Sequence, residues 1–139
     1  MNKFARYSFI ALAAFQTIFY ACKSDFPSAP TTISGILTDS NNIPVQGIEV
    51  RFAGIRNKGL SGITVFEEFV LTDNEGKYRL TKTVPNATDF ASCQPTSDNI
   101  NAFFLIRNGR LHHITAPLVI EPKDYGTAIT RNFILKRLP

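Results

Sequence analysis

ISGILTDSNNIPVQGIEVRF, residues 33–52, is the stretch whose reading decides the fold. Ile33, Gly35 and Leu37 share a period of two, and Ile48, Val50 and Phe52 resume it after an interruption. A period of two belongs to strands with one buried face. The interruption, Asp39-Ser40-Asn41-Asn42-Ile43-Pro44, is built of residues that bond their own backbone or tolerate left-handed geometry, so it predicts a tight turn.

Downstream, Ile63, Val65, Phe69 and Leu71 predict a third strand, with Glu67 and Glu68 marking a bulge or an edge. Asp73-Asn74-Glu75-Gly76 turns the chain into Lys77–Val84, where Tyr78 and Leu80 alternate. Pro85–Asn99, with two prolines and no clear period, reads as a long crossing connection. Asn101–Ile106 and Leu111–Ile120 flank Arg107-Asn108-Gly109-Arg110, and Asn-Gly between apolar runs is a strong hairpin signal. A last strand is expected over Ile129–Leu135, with Phe133 and Leu135 on one face. No 11-residue window after the N-terminal run sustains helical spacing, so the expectation is an all-β, two-sheet sandwich of about seven strands with Greek-key connections.

The N-terminus has a different character. Lys3 and Arg6 precede a mostly apolar run, Tyr7–Ala21, which is the layout of a secretory signal. As a helix those residues would reach about 22 Å, short of the roughly 30 Å needed to cross hydrocarbon. The chain has 139 residues; setting aside Lys3 and Arg6 leaves 13 basic and 11 acidic residues, too slight an excess to suggest nucleic acid. Hydrophobic residues at 44% and charged residues at 19% argue against wholesale disorder.

Phe19-Tyr20-Ala21-Cys22 resembles the lipobox of bacterial lipoproteins, in the looser form found in Bacteroidota-like bacteria, with Phe19 where Leu is usual. The resemblance implies cleavage between Ala21 and Cys22, lipid on the Cys22 thiol and an acyl (palmitate-type) chain on its amine. Two or more chains give stable attachment where one is marginal. The alternative is an ordinary signal peptide or an uncleaved anchor. The expected organisation is a signal peptide over 1–21, a lipidated tether over 22–31 that leaves the domain free to pivot, and a sandwich over 32–139. Once Cys22 is acylated, Cys93 has no partner within the chain, so stability must come from the core.

Ile33-x-Gly35-x-Leu37-x-Asp39, then Asn42-x-Pro44-Val45-x-Gly47-Ile48-x-Val50, then Thr72-Asp73-Asn74-Glu75-Gly76-Lys77-Tyr78-Arg79-Leu80 resemble the carboxypeptidase regulatory-like domain. Asn132-Phe133-Ile134-Leu135 is similar to that family's last strand. The family implies a transthyretin-like (prealbumin-like) sandwich, usually an accessory module without catalysis. It departs from the pattern at Asn42, where Gly is usual, and in the long segment Asn57–Glu68. The motif residues also have backbone reasons: Asp39 and Asp73 cap turns, Gly47 and Gly76 supply positive φ, and Pro44 fixes the approach to the next strand.

Chemistry is sparse. His112 and His113 are the chain's two histidines, and neighbouring strand residues point to opposite faces, so they do not chelate one metal together. Glu67 and Glu68 fail as a glycosidase pair for the same reason. Cys93 has no local activator. Asp73-Asn74-Glu75-Gly76 lacks the 12-residue spacing of a calcium loop. Arg107, Arg110, His112 and His113 gather at one hairpin tip and are the candidate ligand contacts. The sequence thus predicts a non-catalytic, lipid-anchored binding or structural module of the cell envelope, on the outer membrane, without cofactor or metal and with an envelope protein or glycan as candidate partner. The alternatives are a subunit of a surface fibre or adhesin and, less favoured, an envelope hydrolase.

Overall fold

A computed structural model describes residues 26–96 and 101–137. The expected signal helix and Cys22 lie outside the described residues, as does the stretch 97–100. Ten strands are described: β1 Thr31–Asp39, β2 Glu49–Lys58, β3 Ser61–Leu71, β4 Lys77–Lys82, β5 Phe90–Pro95, β6 Asn101–Arg107, β7 Arg110–His113, β8 Val119–Ile120, β9 Ala128–Thr130 and β10 Phe133–Arg137. A single 3-10 turn, Pro122–Asp124, follows β8. One sheet has the order β4-β1-β10-β6-β7, with β9 also paired to β1, and the other β3-β2-β5-β8. The all-β sandwich is therefore as expected, with more and shorter strands than seven.

Alternation places the core. Ile33 and Leu37 of β1, Tyr78 and Leu80 of β4, Phe103 of β6, and Phe133 and Leu135 of β10 point inward from the first sheet. Val50 and Phe52 of β2, Phe66 of β3, Ala91 and Cys93 of β5, and Ile120 of β8 meet them from the second. Phe52 and Phe66 meet edge to face at 5.0 Å, and Tyr78 stacks on Phe133 at 5.9 Å. Each fully buried Phe contributes on the order of 2–3 kcal/mol through area removed from water.

Three expectations are corrected. Pro85–Asn99 is not a bare connection: it contains β5, which pairs with both β2 and β8. Its inward positions, Ala91, Cys93 and Pro95, are small or strand-averse, so its period is faint although all three are buried. Leu111–Ile120 is not one strand but β7 and β8 with an irregular stretch between them. Ile129–Leu135 is split into β9 and β10, which run along the same edge of β1 in parallel register.

The split has a cause at Arg131-Asn132. The Arg131 N–H donates to the Ser34 carbonyl at 2.9 Å, and the Asn132 side-chain oxygen accepts from the Ile36 N–H at 3.0 Å, standing in for a ladder acceptor. Here β1 carries Gly35, where a Cβ would lie 1.7 Å from the Arg131 carbonyl oxygen. Only glycine lets the two backbones approach this closely.

The long Asn57–Glu68 segment proves to be the distal part of a β-hairpin. β2 and β3 pair from Glu49↔Leu71 out to Lys58↔Ser61, with a register shift at Gly54/Ile55. The bulge thus falls opposite Gly54 and Ile55 and not at Glu67-Glu68, which sit on the edge strand, where Glu68 meets the Lys82 ammonium at 2.6 Å.

Candidate functional site

The predicted hairpin at residues 107–110 forms as read. Arg107 pairs with Arg110, and Asn108 and Gly109 take φ values of 51° and 70°, as a two-residue turn with both central residues left-handed requires. Arg107, Arg110, His112 and His113 are all exposed. His113 lies over the Phe104 ring at 4.8 Å between centroids, and Lys136 approaches the same ring from 4.9 Å. The four candidate contacts share a hairpin, and His113 borders a concavity shared with Gln94, Phe103 and Pro117.

The turn residues bond the backbone around them. Asp39 Oδ1 accepts from the Asn41 and Ile43 N–H groups, and Asp73 Oδ1 from those of Glu75 and Lys77. Gly47 and Gly76 take φ values of 80° and 69°, and Pro44 bridges to Thr38. These five turn residues, with the Leu37 carbonyl and Val45, build one end of the sandwich.

The larger concavity is a groove of about 650 Å³ where the edges of β3 and β4 converge. Gly35 and Tyr78 form its floor, Ile36 and Leu71 are apolar on its walls, and Lys77 and Arg79 bring positive charge to its rim. Sequence reasoning did not find this groove, because β1, β3, β4 and β9 supply its residues from positions far apart in the chain.

Beneath the floor lies a polar cluster inside the core. The Tyr78 hydroxyl donates to the Arg131 carbonyl at 2.7 Å. The Arg131 guanidinium crosses between the sheets and donates to the carbonyls of Cys93 and Leu118 at 2.8 Å each and of Val119 at 2.9 Å. A largely buried guanidinium with carbonyl partners binds the two sheets together, and burial lowers its pKa from the ordinary arginine value. Burial pushes the Cys93 thiol up to about 12 and holds the Tyr78 phenol well above its usual range. Cys93 is therefore a protonated core side chain at neutral pH and unsuited to nucleophilic attack. Among the described residues, no three His, Cys, Asp or Glu side chains gather as a metal site.

No family model matches the chain, and no curated protein matches it. Among solved structures, it is similar to the dioxygenase domain of a dioxygenase carbohydrate-binding protein fusion from the cellulolytic bacterium Streptomyces sp. SirexAA-E. That likeness has 16% identity and a TM-score of 0.44, over 82% of this chain and 84% of the other. It is also similar to 3-chlorocatechol 1,2-dioxygenase from Rhodococcus opacus 1CP, at 9% identity and a TM-score of 0.46, over 84% of this chain and 63% of that one. These neighbours correct the functional expectation. The sequence reading took the fold to imply a non-catalytic module and the chain not to be an enzyme; both similar structures are dioxygenases, so that reading is overturned.

Proposed function

We propose that the protein is an exported lipoprotein of the cell envelope, with a domain of the carboxypeptidase regulatory-like kind held against the outer membrane by lipid on Cys22. The observation that carries the reading is the N-terminal sequence, with Lys3 and Arg6 before the short apolar run Tyr7–Ala21 and Cys22 directly after Ala21, and the way the chain enters the fold sets how far the anchor lies from it. Phe26 already packs on the sandwich, its ring 5.7 Å from that of Tyr125, and Pro27 lies against Gly126. The Gly126 N–H in turn donates to the Thr31 hydroxyl at 2.8 Å. Phe26 and Pro27, within the segment read as a tether, thus touch the sandwich, and Lys23, Ser24 and Asp25 separate them from Cys22. A lipid on Cys22 would keep the domain at the membrane with little slack, and the groove beside β3 and β4, lined by Leu71, Asp73 and Lys77, would face away from the anchored end. The proposal concerns attachment and place, and it holds whether or not a molecule in the groove is also turned over.

The test is mass spectrometry of the mature N-terminus combined with membrane fractionation. The expected result is a chain that begins at Cys22, carries diacylglyceryl and acyl mass, and sediments with membranes, whereas Cys22→Ser stays unprocessed or soluble. A mature chain with an unmodified Cys22 would overturn it.

A further inference from the structure

We propose that the tip of the β2–β3 hairpin enters the membrane interface beside the anchor, so that the sandwich stands on the bilayer at two points and in one orientation. The inference rests on the lipid attachment at Cys22 and concerns a surface which that reading leaves unused.

The hairpin overhangs the sandwich. β5 ends its pairing with β2 at Ile55↔Phe90, while β2 and β3 continue together to Lys58↔Ser61. Beyond Ile55 the root is steadied by Asp89, whose carboxylate accepts from the Asn57 N–H at 2.6 Å. From Arg56 to the turn at Gly59-Leu60 the ribbon projects about 13 Å at roughly 3.3 Å per residue. Leu60, at its tip, is fully exposed at 110%, and Ile63 is 41% exposed. Residues 55–64 include Arg56 and Lys58 and no acidic residue. An apolar tip flanked by cations suits the boundary between acyl chains and anionic headgroups.

The tether comes in at this same end. β8 runs antiparallel to β5, with Ile120 opposite Ala91, which is itself opposite Gly54 of β2. The chain therefore leaves β8 toward the end from which the hairpin projects, and there the Pro122–Asp124 turn and Tyr125 receive Phe26. Four residue steps separate Phe26 from Cys22, a reach of at most about 14 Å. The lipid is thus confined to a distance from the sandwich that matches the overhang of Leu60. Glu121 and Asp124 share this end, so the contact relies on the apolar tip and its two neighbouring cations and not on a uniformly basic face.

The chain has no tryptophan, so single reporters are clean. Full-length Leu60→Trp and Ile43→Trp, processed in cells and purified from membranes, are reconstituted into vesicles of phosphatidylethanolamine and phosphatidylglycerol with brominated acyl chains. Ile43 is 59% exposed on the turn after β1, at the opposite end. The expected result is that the indole at 60 shifts blue and loses roughly half its emission to bromine, as an interfacial side chain does, while the indole at 43 keeps its emission. Equal or absent quenching at both positions, in protein whose intact mass carries the lipid, would overturn the two-point contact and leave the anchor standing. Protein without lipid mass that does not float with the vesicles would overturn both readings.

Discussion

Two turns in this molecule are built alike and stand in different surroundings. In Asp39–Ile43 and in Asp73–Lys77 the leading carboxylate accepts from the N–H groups two and four residues on. In both, the N–H of the fourth residue donates to the carbonyl of the first, and the first and fifth residues bond through their backbones. The fourth residue is left-handed in each, Asn42 at φ 62° and Gly76 at φ 69°. The difference lies outside the turns. Asn42 is exposed, whereas Gly76 is buried: its carbonyl accepts from the Leu37 N–H, and a Cβ on it would lie 2.4 Å from the Leu37 carbonyl oxygen. The same local chemistry admits a side chain in one place and forbids it in the other, because one turn ends in water and the other closes against a strand.

The strongest test of this comparison is Gly76→Ala, expected to lower stability by about 3 kcal/mol through the left-handed φ and the backbone clash together. Asn42→Ala should cost about 1 kcal/mol, from φ alone. Denaturant titration of the pair decides: equal losses would mean that docking against Leu37 imposes nothing.

Labelling of Cys93 sharpens the same contrast, since a buried thiol held up near 12 reacts only when the core opens. At neutral pH Gly76→Ala should raise the labelling rate by roughly a hundredfold and Asn42→Ala by about fivefold, if both act through global opening. Labelling that rose equally in both variants would show that the two turns are coupled to the core alike.

Asp39→Ala and Asp73→Ala should each cost about 1 kcal/mol, because each removes two backbone hydrogen bonds of the same geometry. A difference well above 0.5 kcal/mol, roughly the scatter among solvent-facing caps, would show that surroundings reach the carboxylate as well as the fourth residue.

The smallest effect belongs to Asn42→Gly. Relief of the left-handed strain is offset by the greater freedom of glycine in the unfolded chain, so thermal and chemical denaturation should place it within about 0.5 kcal/mol of the parent.

The contrast also separates what could be read along the chain from what could not. Both turns, the 107–110 hairpin and the alternation of Ile33, Leu37, Tyr78 and Leu80 were legible, because residues a few positions apart determine them. β5 was not: Ala91, Cys93 and Pro95 give little strand signal, and their burial comes from partners on β2 and β8. The break between β9 and β10 was hidden too, since it depends on Gly35, nearly a hundred residues upstream, and on an arginine that turns into the core. The groove has the same origin, its walls meeting only when the sheets close. The hairpin residues named as ligand contacts were placed correctly on a hairpin, but neighbours in sequence need not surround a cavity. The step from family to non-catalytic role was of another kind: a sandwich specifies a scaffold, and a scaffold does not settle the chemistry placed on it.

The position of β10 bears on when the protein can fold. β10 lies inside its sheet, with β1 on one side and β6 on the other, so the earliest strand waits for residues 133–137 before its second edge is fully covered. Contacts of such long sequence separation close late and slowly. Until β10 is in place, the Leu37–Asp39 part of β1 and one edge of β6 lack their partner in this sheet. The order of the strands thus makes closure of the sheet wait for residues 133–137.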